Sequence, residues 1–156
     1  MKLVPLPDGR VVVVGGASNP NSWRGKAVIV ARFASSGRLD KTYGVNGFAV
    51  LRTGTHPSHG GAGATLLPDG RLFVAGYEVR TNGAYGWMVA GLTRSGAPDH
   101  SFGSEGIRFF RALDGHRISG EANDVALGPN GDVAVVGAVK QRRRDSLAVA
   151  WLQLSE

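Results

Sequence analysis

The stretch Leu67-Pro68-Asp69-Gly70-Arg71-Leu72-Phe73-Val74-Ala75-Gly76 decides the fold. Proline presets φ, aspartate accepts backbone hydrogen bonds and glycine takes a positive φ, so Pro68-Asp69-Gly70 predicts a tight turn between two strands. The strand after it, Arg71 to Tyr77, is apolar without alternation, as expected where both faces of a sheet are covered. Pro7-Asp8-Gly9 precedes this turn and Pro129-Asn130-Gly131 follows it at the same spacing of 61 residues.

Searching outward from the turn extends the repeat. Gly15, Gly76 and Gly137 keep the period. A second apolar block follows in each copy: Val28 to Phe33, Met88 to Leu92 and Ala148 to Leu152. Ser36-Gly37-Arg38-Leu39-Asp40-Lys41-Thr42-Tyr43-Gly44 is matched by Ser95-Gly96-Ala97-Pro98-Asp99-His100-Ser101-Phe102-Gly103, and the chain stops where a third copy would begin. Each whole unit therefore contains four short strands, the last being Phe48 to Leu51 and Ile107 to Phe110, and no stretch has a capped helical period. The expected fold is all-β: blades of four antiparallel strands, about three to the chain, with two complete (about 1–53 and 61–112) and a third (about 121–156) lacking its outer strand. A four-stranded unit repeated in line and apolar on both faces suits a propeller blade, which packs each face on a neighbour.

Leu67 to Gly76 and Ser36 to Gly47 resemble the delta-60 repeat proteins of bacteria almost letter for letter. Asn130, Asp132 and Pro98 depart from that pattern. The resemblance covers essentially the whole chain and implies a β-propeller with NHL-like strand order, commonly in secreted or cell-envelope proteins, with no catalytic residues to carry over. It also places the innermost strands at Lys2 to Leu6, Ala62 to Leu67 and Ala122 to Leu127, with Pro5 on an edge where a missing donor is tolerated. Three blades cannot close a ring, and an open arc leaves an apolar face at each end. The expected partner is a second copy giving six blades, or the remainder of a longer propeller.

The 156 residues suffice for one domain, and 42% hydrophobic content excludes a disordered chain. No cysteine is present, which excludes disulfides, thiolate metal sites and cysteine nucleophiles. No apolar run reaches the roughly 18 to 20 residues of a membrane span, and Met1 to Arg10 lacks the apolar core of a signal peptide.

The single aspartates beside turn glycines cannot supply the six to eight oxygens calcium takes, and are expected to cap their turns. His56, His59 and His116 form the one histidine cluster, weak as a metal site because His56-Pro57-Ser58-His59 falls in a Gly-rich segment expected to be a loop. Asn123 and Asp124, polar on an innermost strand, are candidates for lining the channel or for bonding neighbouring backbone. No nucleophile elbow or phosphate loop is present, and no cofactor is expected.

Charge is segregated. The turn face balances, whereas on the opposite loop face Arg24, Lys26, Arg80, Arg117, Lys140, Arg142, Arg143 and Arg144 outnumber Glu78, Asp114, Glu121 and Asp145, and so collect most of the net +6. With Trp23 and Tyr85 among them, these residues predict a non-catalytic binding or scaffold module for an acidic glycan or acidic protein. Nucleic acid is the weaker version, since no stacking platform is visible. The alternative is an enzyme acting on a glycan or ester at the channel mouth through His56, His59, His116 and Asp124.

Overall fold

Three Pro-x-Gly turns set three hairpins with the same hydrogen bonds. Leu6 N–H donates to Arg10 O, Leu67 to Arg71 O and Gly128 to Asp132 O, and the glycines Gly9, Gly70 and Gly131 sit at φ of 82°, 88° and 81°. A side chain would be strained at those angles. The computed structural model describes residues 1–18, 26–51, 58–80, 82–113, 115–141 and 144–154.

The first sheet is β1 (Lys2–Pro5), β2 (Val11–Ser18), β3 (Lys26–Phe33) and β4 (Phe48–Leu51). The second is β5 (Ser58–Leu66), β6 (Leu72–Val79), β7 (Tyr85–Leu92) and β8 (Ile107–Phe110). A small hairpin, β9 (Ala112–Leu113) and β10 (His116–Arg117), leads to the third sheet of β11 (Ala122–Leu127), β12 (Val133–Gln141) and β13 (Arg144–Leu152). Strand order follows the chain in all three sheets, and every pairing between named strands is antiparallel. The third sheet has no fourth strand among the described residues. No helix is present there either, so none is long and apolar enough to cross a membrane.

The sheets stack as blades. Val14, Val28 and Val30 of the first blade meet Val74, Met88 and Leu92 of the second in one apolar core; Phe73, Trp87 and Val89 of the second meet Val125, Val133 and Val135 of the third in another. The middle blade is consequently buried on both faces, and β6 is apolar and buried from Leu72 to Ala75. In the outer blades burial alternates along β2 and β12, because only one face has a neighbour.

Two details depart from expectation. Ser58 to Leu66 is strand, not loop: His59 pairs with Glu78 in the β5–β6 ladder, because β6 runs on to Val79 and supplies the partner backbone. His116 lies in β10, which turns on Gly115 at φ 74°. His59 and His116 therefore lie in strands rather than in equivalent loops, and His56 lies outside the described residues.

Candidate functional site

The innermost strands carry matching bulges. Register shifts fall between Gly61 and Gly63 in β5 and between Ala122 and Asp124 in β11. Bulges re-aim side chains, and the one in β11 lies at Asn123 and Asp124. Asn123 Oδ1 accepts from Ala138 N–H at 3.1 Å, within its own blade. Asp124 accepts from Lys2 Nζ at 2.9 Å, joining the first and third blades, and from Val125 N–H. Gly63 admits this approach, since a Cβ there would lie 2.3 Å from Asp124 Oδ1.

At the loop end Glu78, fully buried at the end of β6, receives Arg111 at 2.8 Å and lies 3.4 Å from Arg80. Arg80 also donates to Tyr85 O at 2.6 Å and Ile118 O at 3.3 Å, tying the second blade to the connection beyond it. The hydrogen bonds that Arg111 donates to Glu78 hold its guanidinium above the usual pKa. The Tyr85 ring packs on Tyr77 with centroids 5.7 Å apart. Glu78 and Arg80, counted above among the loop-face charges, are structural partners. Arg117 and Lys140 are exposed on this face. Trp23, Arg24, Arg142 and Arg143 lie outside the described residues, and Arg144 is placed only as the first residue of β13.

The turn end repeats a different cluster. Arg10 reaches Asp8 and Asp40, and Arg71 reaches Asp69 and Asp99 in the same way. Thr42 and Ser101 each donate hydroxyl and N–H to the second aspartate. The Arg10 fork brings Asp8 down to about 2. Asp40 falls further, chiefly through the Thr42 hydroxyl. For Asp99 burial pushes upward, but the Ser101 and Arg71 hydrogen bonds outweigh it and the pKa is lowered. The aspartates are engaged in turns and ion pairs, and among the described residues no group of three or more His, Cys, Asp or Glu is placed to hold a metal.

Between these ends, each outer blade presents an unpaired face. On the third blade Leu147, Val149 and Trp151 are 80%, 50% and 59% exposed. Their ladder positions match Trp87, Val89 and Gly91, which face the third blade from the second. On the first blade Leu3, Phe48 and Val50 are exposed, at positions matching Ala64, Ile107 and Phe109, which pack against the first blade. The arc thus ends in one face of each mating kind.

A family model described as a domain of unknown function (DUF5122), beta-propeller, matches residues 67–102, from the second Pro-Asp-Gly turn to Phe102. The fold is a β-propeller. The match supports a β-propeller family over that stretch; the narrower delta-60 resemblance rests on the motifs alone. No curated protein and no solved structure matches the chain. A β-propeller of this kind suits a binding or scaffold module.

Proposed function

We propose that the chain is a non-catalytic binding or scaffold module that assembles blade to blade, two copies closing a six-bladed ring. The supporting observation is the pair of complementary end faces: Leu147, Val149 and Trp151 on one side, Leu3, Phe48 and Val50 on the other. Exposed apolar faces of this kind mark interaction surfaces. A two-fold axis along the channel would join each third blade to the partner's first blade, making two equal joints and leaving no bare face. The runner-up occupant is the remainder of a longer propeller, which would use the same faces.

Light scattering after size-exclusion chromatography tests this reading. The expected result is a dimer that becomes a monomer in Trp151→Glu, while Val45→Glu, at another exposed apolar position, leaves the mass unchanged. A wild-type monomer at all concentrations would give the faces to further blades instead.

The ligand we assign to this module is an acidic glycan or acidic protein on the loop face. That assignment rests on the excess of arginine and lysine in the loop segments, of which Arg117 and Lys140 are exposed. Changing Arg142, Arg143 and Arg144 together to Ser should abolish retention on heparin at low salt; unchanged retention would remove this ligand class.

A further inference from the structure

The seam between the first and second blades opens at the turn end into a cleft of about 440 Å³ that reaches Leu127 of the third blade. At the corresponding seam between the second and third blades, a void beside Phe102 measures only about 10 Å³. The backbone repeats, so the difference is in side chains. Val12 stands where the second blade has Phe73, Arg32 where it has Gly91, and Tyr43 where it has Phe102. In the second seam the Phe73 and Phe102 rings meet edge to face, with centroids 4.8 Å apart at 82°. In the first seam the Arg32 guanidinium stacks 4.6 Å over the Tyr43 ring instead, and the open space lies beyond it, lined by Val12, Tyr43 and Arg32.

The lining suits a particular chemistry. Leu6, Leu66, Leu72 and Leu127 give apolar walls, as small-molecule sites have. Arg94 lies at the rim, its stem across Gly70, and among the described residues no carboxylate lies within ion-pair distance of its guanidinium. The two rim carboxylates, Asp8 and Asp69, are already paired with Arg10 and Arg71. The buried Tyr43 hydroxyl has no hydrogen-bond partner among the described residues. Such a group is costly unless something outside the chain satisfies it.

We propose that this cleft binds a small aromatic carboxylic acid, its ring lying against Val12 and the leucine walls and its carboxylate meeting Arg94. Arginine is suited to that role because its planar fork matches a carboxylate. The site lies within one chain and does not depend on ring closure.

Calorimetric titration with 3-phenylpropionate and with 3-phenylpropanamide tests the proposal. The acid should bind saturably with a sub-millimolar Kd, and the amide roughly tenfold more weakly, for loss of the charged hydrogen bond. Val12→Phe, which places a ring in the cleft, should abolish binding. Arg94→Gln, an exposed change with no bearing on folding, should bring the acid down to the affinity of the amide. Trp151→Glu should leave binding unchanged, which separates this site from the end faces. Absence of saturable binding, equal affinity for acid and amide, or full binding by a folded Val12→Phe protein would each overturn the assignment.

Discussion

The two seams between blades occupy the same positions on the same backbone, yet one is filled by rings and the other by a polar network around a cleft. In the second seam Gly91 packs directly beneath Phe102, and Trp87 crosses to donate to Ala138 O at 3.0 Å. In the first seam Arg32 lies 4.6 Å over the Tyr43 ring and bonds Asp40, Thr42 and the Arg94 carbonyl. Arg32 is 6% exposed, so it needs those partners. The repeat dictates where strands and turns run, and the seams are left to specialise, one for cohesion and one for recognition.

The largest break in this comparison comes from Trp87→Ala. The ring is fully buried, and Gly137 accommodates it, because a Cβ there would lie 2.9 Å from Trp87 Cζ2. Truncation should cost about 3 to 5 kcal/mol in urea unfolding, from lost burial, the cavity and the orphaned Ala138 carbonyl. The first blade has Val28 at the matching ladder position, so Val28→Ala should cost less. Equal losses at the two positions would mean that the seams do not differ in cohesion.

A smaller effect of opposite sign belongs to Tyr43→Phe. This change gives the first seam the ring that the second carries as Phe102 and removes a buried hydroxyl without a partner among the described residues. Stability should rise by about 1 kcal/mol in the same assay. The reciprocal Phe102→Tyr should lower it. A loss of stability in Tyr43→Phe would show that the hydroxyl is satisfied in solution and that the seams are more alike than their geometry.

Much of the fold was legible because its signals are local. Pro-Asp-Gly fixes φ within three residues, and the limits of Phe48 to Leu51 and Ile107 to Phe110 follow from apolar runs between glycines. The continuous apolar pattern also foretold a blade covered on both faces. What escaped depends on pairs distant in the chain. Glu78 looked like a loop charge, although its partner Arg111 lies 33 residues on. Arg32 stood in plain view inside Val28 to Phe33, a charge in an apolar block opposite Gly91 of the next copy, but only the stacked blades reveal that it faces Tyr43 and a cleft. The strand at Ser58 was hidden by glycines, which favour loops until a neighbouring strand supplies the ladder. On the loop face Trp23, Arg24, Arg142 and Arg143 fall outside the described residues.

Acid should produce the smallest and most selective change. The first two turns carry the Arg10 and Arg71 forks, whereas the third has Asn130 and Asp132 at the places of Asp and Arg. Asp8 is lowered from 3.8 to about 2, and Asp40, Asp69 and Asp99 are also depressed. A carboxylate whose pKa is lower folded than unfolded binds fewer protons in the native state, so its contribution is complete above the unfolded pKa and fades as pH falls toward the folded one. The urea midpoint should therefore fall between about pH 4 and pH 2 by a modest amount, since these pairs are partly solvated. Replacing Asp40 and Asp99 by Asn should flatten that slope, because two of the four depressed carboxylates would no longer titrate. A slope unchanged by both substitutions would mean that the forks do not persist in solution, and the likeness of the two turn clusters would be one of backbone alone.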